Sequence, residues 1–359
     1  MTLEYLHLAQ FRSWARLELS PEPRPVAIYG PNGSGKTNIL EAISMLSPGR
    51  GLRAAARGEQ ARRDAEVGWR IRALLSGHEV VTGAAPGQPR DVSIDEKPAP
   101  QAALGRLARI IWLVPAMDRL WTDPPEVRRR FLDRLTLSFF PDHAEAALTW
   151  EKAMRERNRL IRDEVTDPGW YRALEIRMAE AGAALTANRL AALARLAGAQ
   201  ADGTTQFPAA RLELLAGDGH ANDPDREALM IRLAEGRNRD MAAGRTLNGP
   251  HRADLGASWG PQDMPAALAS TGEQKALLLS LVLANARALS GESVILLLDE
   301  VAAHLDTARQ AMLHDEIIAL QAQCFLTGSG RELFETLEGR ASFVAVMRES
   351  GISRAALDD

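Results

Sequence analysis

Cysteine is almost missing from this chain of 359 residues: Cys324 stands alone. One thiol permits no internal disulfide framework and no cysteine metal cluster. In its apolar surroundings it is expected to be a small buried hydrophobe. Lysine is nearly as scarce. Lys36, Lys97, Lys152 and Lys275 are the only four, so arginine carries almost all the positive charge. Aromatic residues make up 5%, and the seven tryptophans are scattered, which offers no stacking platform for single strands. No run approaches the roughly 18 apolar residues that span a bilayer. The opening Met1-Thr2-Leu3-Glu4 has no basic region followed by an apolar core, so no secretory signal is expected and the compartment is expected to be cytoplasmic. A large charge excess is missing too. The net charge of −4 does not advertise nucleic acid as a partner, although a local patch decides that, not the total.

Against this background, residues 30–37 stand out. Gly30-Pro31-Asn32-Gly33-Ser34-Gly35-Lys36-Thr37 has the G-x-x-x-x-G-K-[ST] spacing of a phosphate-binding loop. It follows the apolar run Val26–Tyr29 and precedes a helical pattern through Ile39, Leu40, Ile43 and Leu46. Glycines let backbone amides curl around anionic oxygens, and a helix N-terminus adds positive dipole. Lys36 is expected on the β- and γ-phosphates of ATP, and the Thr37 hydroxyl on Mg²⁺. Asn38, next in the helix, completes the candidate ATP-binding segment.

A second motif matches it. Val294–Leu298 is a run of five apolar residues that ends in Asp299-Glu300. The run fits a central buried strand. Asp299 is expected to meet the Mg²⁺ beside Thr37, and Glu300 to polarise the attacking water. Lys36 and Glu300 are thus the catalytic candidates. Ser270-Thr271-Gly272-Glu273-Gln274-Lys275 precedes a strong helix pattern over 276–289, another helix N-terminus suited to an anion.

Between these motifs the chain changes character. Strand patterns at Glu4–Leu8, Ala15–Leu19, Val26–Tyr29, 67–75, 79–82, 91–94 and 109–114 predict an early β-rich part. From Pro124 to about Leu196 the pattern is largely helical, with breaks at Pro141-Asp142 and at Thr166–Gly169. A short strand near 211–216 and a helix over 223–241 follow, and strand and helix alternate from Ala253 onward. The fold class expected is α/β, mixed sheets with helices. A first ATPase segment occupies 1–115, a mainly helical insertion lobe 116–244, and a second ATPase segment 245–359. Both ATPase segments must share one sheet for the two motifs to meet.

The hexapeptide at Ser270 lies where ATP-binding-cassette proteins carry their signature motif, and Ala303-His304-Leu305-Asp306 resembles the cassette D-loop. Together with Gln10-Phe11-Arg12-Ser13 after a first strand, the motifs resemble the heads of SMC-type ATPases. Along the whole chain they resemble the RecF family of bacterial recombination mediators. The stretches that carry this are 6–12, 32–43, Arg128-Arg129-Arg130-Phe131-Leu132-Asp133, Thr246–Asp254 with its Gly-Pro-His-Arg, and 270–279. The resemblance implies an ATPase head whose Arg12 approaches the phosphates. It also implies that Ser270, Thr271, Gly272, Glu273, Gln274 and Asp306 act on ATP held by the opposite subunit of an ATP-dependent homodimer. It further implies DNA at single-strand/double-strand junctions, RecA loading, DNA-stimulated hydrolysis, and RecR, RecO and RecA as partners.

Two departures from the family pattern are visible. Val114-Pro115-Ala116-Met117-Asp118 has no glutamate after the proline, which leaves Asp118 as the Q-loop candidate. Phe325-Leu326-Thr327-Gly328 lacks the switch histidine, so Thr327 takes that place and slow hydrolysis is expected. Candidate DNA contacts are Arg50, Arg53 and Arg57 after the loop helix, then Arg128, Arg129 and Arg252. A transporter cassette is the poorer alternative, because Lys36 and Gly272 stand 272 − 36 = 236 positions apart. A structural clamp that holds ATP without hydrolysing it is the other alternative.

Overall fold

The computed structural model describes residues 2–56, 58–63, 66–202, 207–217, 222–260, 263–349 and 351–358. The chain divides into two compact units. One is built mainly from Met1–Asp118 and Val282–Asp359, the other from Arg119–Gly203 and Pro208–Leu281.

In the first unit, β1 (Leu3–Phe11), β2 (Trp14–Leu19) and β3 (Val26–Tyr29) lead into helix α1 (Lys36–Ser44). A meander follows: β4 (Trp69–Leu75), β5 (His78–Ala84), β6 (Asp91–Ile94) and β7 (Lys97–Pro98). The short helix α2 (Leu104–Leu107) precedes β8 (Arg109–Leu113). The antiparallel sheet runs β2-β1-β4-β5-β6-β7. Alternation explains its layering: Leu6, Leu8, Ile71, Ala73 and Val80 face inward onto Ile39, Leu40 and Ile43 of α1 in one core cluster.

The second unit holds α3 (Pro125–Phe139), α4 (His143–Arg162) and α5 (Pro168–Ala201), with breaks at the prolines as expected. It continues through β9 (Ala210–Leu215), α6 (Arg226–Glu235), α7 (Arg237–Ala243), β10 (Asp254–Trp259), β11 (Met264–Pro265) and into α8 (Thr271–Arg287). The single helix expected over 223–241 is broken into α6 and α7 at Gly236, whose position leaves no room for a Cβ beside the Asn248 amide. The first strand after Ala253 was also expected to join the nucleotide sheet, as the strands from Val294 onward do. Instead β10 pairs with β9 and β11 in a separate antiparallel sheet. The β9–β10 ladder draws the chain after 245 back into this unit, so the unit runs past the expected boundary at 244 and takes in the Ser270 hexapeptide.

The first unit closes with β12 (Val294–Leu298), α9 (Thr307–Ala319), β13 (Gln323–Gly328), β14 (Ser342–Glu349) and β15 (Ile352–Leu357). Its second sheet has the order β15-β14-β3-β13-β12-β8. The strands from β14 to β8 are all parallel, and only β15 runs against its neighbour. Val294–Leu298 is buried at every position, as a strand covered on both faces must be. The early and late parts of the chain therefore share one sheet, with β13 inserted between β3 and β12. Ligands of open parallel sheets bind beyond the carboxyl ends of such strands. Among the described residues no helix is long and apolar enough to cross a membrane.

Candidate nucleotide site

Three neighbouring strand ends in the first unit bring the site together. Register pairs Leu298 with Leu326 and Gly328 with Tyr29, so Asp299, Thr327 and the start of the glycine-rich loop lie at one level. The Thr37 hydroxyl stands 2.9 and 3.1 Å from the two carboxylate oxygens of Asp299. Thr327 donates from Oγ1 to Asp299 Oδ1 at 2.7 Å, and the same oxygen accepts from the Glu300 amide at 2.9 Å. Glu300 adopts φ +56°, a left-handed conformation that costs a non-glycine residue strain. Thr327 thus fixes the Asp299 carboxylate and the Glu300 backbone. It acts there as a positioner, giving its one proton to Asp299 and accepting the Glu300 amide.

Lys36 is almost completely buried. Its Nζ donates to Gly30 O at 2.7 Å and Pro31 O at 3.1 Å, and Glu300 Oε1 lies 3.5 Å away. The ammonium is folded back over the loop by carbonyls that a stronger anion can replace. Gly30, Gly33 and Gly35 have φ of +148°, +76° and +115°, which only glycine adopts without strain. Ser34 Oγ is buried without a hydrogen-bond partner in the loop. Pro31, Asn32 and Gly33 form the exposed crest, and a Cβ on Gly33 would meet open space.

Beside the loop lies an open cavity of about 580 Å³, within the range of small-ligand clefts. Arg12, Thr37, Arg53, Glu59, Pro115 and Asp299 are among its lining residues. Arg12 lines the cavity, and its donors are engaged. Nε and Nη2 bond the two oxygens of Glu41 at 2.8 and 2.5 Å, and Nη1 bonds Glu59 O at 2.6 Å. Arg53, expected to face DNA, instead turns to the loop helix. Its Nη1 donates to Asn38 Oδ1 at 2.9 Å and to Glu41 Oε2 at 3.2 Å. The cause is Glu41, a fully buried carboxylate on α1 that needs cationic partners. Sequence reasoning missed Glu41 because its periodic position reads as an ordinary helix charge. Asp118 does not line the cavity; the wall there is Val114-Pro115-Ala116. Cys324 is buried, and burial pushes its thiol up to about 12, which makes it inert.

The other candidates lie in different surroundings. Ser270 and Glu273 cap α8 reciprocally: the Ser270 amide donates to Glu273 Oε2 at 2.7 Å, and the Glu273 amide reaches Ser270 Oγ at 3.4 Å. The Ser270 hydrogen bonds hold the Glu273 carboxyl below its ordinary value. The helix therefore starts at Thr271, five residues earlier than its apolar pattern suggests. Thr271 and Gly272 are exposed. Gln274 is buried and donates to Ala269 O at 3.0 Å. In the first unit, Asp306 caps α9 by accepting from the Arg309 amide at 2.9 Å.

The DNA candidates of the second unit are tied into its fold. Arg128 forms a bidentate pair with Asp254, at 2.8 and 2.6 Å, and Arg129 donates to Ala253 O at 2.7 Å. These bonds join α3 to the start of β10, so the two arginines are not the solvent-facing phosphate contacts expected of them. Arg252 is half-buried in the 3-10 turn Pro250–Arg252. The Gly-Pro-His-Arg stretch is a packing knot: Gly249 has φ +133° where a Cβ would strike Trp150, and His251 stacks on that indole with centroids 5.6 Å apart. Beneath it, Arg157 is fully buried and bonds Asp240 at 2.6 Å, Thr246 Oγ1 at 2.9 Å and Glu175 at 3.3 Å. Arg237 also bonds Glu175, so two cations face two carboxylates and the buried charge is balanced. Arg50 is exposed, and Arg57 lies outside the described residues.

A model of an AAA domain matches residues 5–68. Over nearly its whole length the chain is 46% identical to the DNA replication and repair protein RecF of Mesorhizobium japonicum, across 361 residues that cover 95% of each chain. It is also 46% identical to RecF of Brucella abortus, covering 96% of this chain and 94% of that one. The solved structure of the recombination mediator protein RecF with ATP in the RecFOR pathway matches with a TM-score of 0.83 at 22% identity, covering 99% of this chain and 97% of that one. An Smc head domain from Pyrococcus furiosus matches at 0.57 and 17% identity, covering 100% of this chain and 96% of that one. These two likenesses carry the fold, that of an SMC-type ATPase head. With that fold and identity of this extent to curated relatives, the chain belongs to the RecF family of DNA replication and repair proteins.

Proposed function

We propose that this chain is an ATPase of recombinational DNA repair that closes as a pair of heads on ATP and engages DNA at single-strand/double-strand junctions. The observation that carries the ATPase part is the convergence of Lys36 and Thr37, from the loop after β3, with Asp299 and Glu300, at the end of β12. Lys36 would leave the Gly30 and Pro31 carbonyls for the β- and γ-phosphates. Thr37 and Asp299 offer hard oxygen donors, a hydroxyl and a carboxylate already in contact, which fit Mg²⁺. Bound there, the ion would supply positive charge for the transferring phosphoryl group. Glu300 would orient and deprotonate the attacking water. Arg12 and Arg53 line the cavity with Thr37 and Asp299, and Arg53 is assigned there in place of a DNA contact.

The signature residues Ser270–Gln274 would act on the partner copy's ATP, as the family resemblance implies. Exposed Gly272, with nothing near its would-be Cβ, leaves an approach open. Gly272→Asp should therefore abolish ATP-driven dimerisation in light scattering while ATP affinity of the monomer stays within about threefold. Loss of monomer binding would instead put the motif in its own chain's site. RecR, RecO and RecA are the proposed partners, and RecA loading on gapped DNA the proposed outcome.

The deciding experiment is single-turnover hydrolysis by the purified protein, with and without gapped duplex. Slow hydrolysis that gapped DNA accelerates is expected. Tight ATP binding with no hydrolysis in either condition would overturn the enzymatic reading in favour of a clamp that uses ATP as an adhesive.

A further inference from the structure

The glycine-rich loop is gripped from outside by a segment that lies more than 300 residues away in sequence. We propose that Ser353, in the terminal β14–β15 hairpin, is a positioning residue of the phosphate loop, acting through the Ser34 carbonyl. This rests on the ATP site proposed above and adds to it a residue that no motif contains.

The contacts form a directed chain. Asn38 Nδ2 donates to Ser13 Oγ at 2.7 Å. The Ser13 and Ser353 hydroxyl oxygens are 2.7 Å apart. Ser353 Oγ lies 2.5 Å from Ser34 O. A hydroxyl has one proton. The carbonyl can only accept, so the Ser353 proton goes to Ser34 O and the Ser13 proton makes the link between the two serines. The chain then runs Asn38 to Ser13 to Ser353 to Ser34 O, with each donor used once. Ser353 is buried, and its own amide donates to Ser13 O at 3.2 Å, which fixes the side chain's origin.

The consequence follows from peptide geometry. A trans peptide is planar, with its C=O and N–H on opposite sides. Holding the Ser34 carbonyl toward Ser353 points the Gly35 amide the other way, away from the hairpin. The next carbonyl is held similarly: Gly35 O accepts from the Trp14 indole at 3.2 Å, beside the Asn38 amide. Amides aimed before a ligand arrives need no reorganisation when it binds. The hairpin also leaves no room for error. A Cβ on Gly35 would collide with the Ser353 and Ser13 hydroxyls, and a Cβ on Gly30 with the Val346 carbonyl of β14. The two glycines are therefore explained by the hairpin behind them as much as by the ligand in front.

The test is steady-state and equilibrium kinetics on the full-length protein. Ser353→Ala should raise the KM and Kd for ATP about tenfold, the size of one lost neutral hydrogen bond. It should leave kcat within about twofold, because the Asp299 carboxylate and the Glu300 backbone are held by Thr327 and not by the hairpin. Tripolyphosphate, used as a competitor of fluorescent ATP, should weaken by the same factor, since the loss is in phosphate binding. Ser13→Ala, at a half-buried turn, should give a smaller loss of the same kind, and the double variant should be no worse than Ser353→Ala by more than about twofold. This pair keeps the proposal testable if Ser353→Ala folds poorly. Unchanged ATP affinity in Ser353→Ala, or additive losses in the double variant, would overturn the proposal. If the wild-type protein itself fails to bind ATP, the nucleotide-site reading falls instead.

Discussion

Lys36→Arg should lower ATP affinity at least about 100-fold and remove measurable hydrolysis. The ammonium is a compact donor of three protons that fits between two loop carbonyls and a carboxylate, at 2.7, 3.1 and 3.5 Å. A guanidinium is planar and wider, and its donors are fixed in a fork. It cannot occupy the same buried slot without displacing Gly30 or Pro31, and displacing them opens the loop. Hydrogen bonds to charged groups contribute about 1.5–3 kcal/mol each, so losing one or two contacts to phosphate corresponds to roughly 10- to 10⁴-fold. The lost fit of the loop puts the expectation well inside that span. Fluorescent-nucleotide titration with a thermal melt as control measures it. A well-folded variant that binds ATP within about threefold of wild type would remove Lys36 from the phosphate site, and the assignment of the loop with it.

What the sequence disclosed and what it concealed divide along a physical line. The phosphate loop and the Asp299-Glu300 strand end were legible because each is a local pattern: a few residues whose spacing suffices for the chemistry. β12 and β3 were read to the residue because short apolar runs bounded by turns leave little freedom. The order of strands was not legible. Nothing in Gln323–Gly328 announces that this strand slides between β3 and β12, yet that insertion is what brings Thr327 onto Asp299. Thr327 could be picked out only as the residue in the switch position. Its bonds to the Asp299 carboxylate and the Glu300 amide need the folded sheet.

The arginines were misread for a related reason. An arginine in sequence looks the same whether it meets solvent, phosphate or a buried carboxylate. Glu41 decides the fate of Arg12 and Arg53, and Asp254 that of Arg128. Neither acid announces its partner in the sequence, because pairing is a property of the packing around it. The lobe boundary was displaced for the same cause. β10 reads as one more strand of an alternating α/β segment, and only its pairing with β9 assigns it to the other unit.

Glu300→Gln should reduce the rate of hydrolysis about 10²- to 10³-fold while ATP affinity is kept or tightened. A positioned general base contributes about 10²- to 10⁴-fold, and the amide has nearly the carboxylate's shape but no negative charge to take up a proton. The backbone should not move, because the left-handed φ of residue 300 is held through its amide by Thr327, a contact that the substitution leaves intact. Two effects favour binding. Lys36 loses the carboxylate 3.5 Å away that competes for it, and the site loses a negative charge that repels the γ-phosphate. ATP that binds well and is not cleaved should hold two heads closed, so light scattering with ATP should show a persistent dimer where wild type returns to monomer as ATP is consumed. Single-turnover measurement separates the chemical step from nucleotide release. A variant that hydrolyses ATP at the wild-type rate would show that Glu300 is not the base, and one that stays monomeric at saturating ATP would rule out the closed pair of heads.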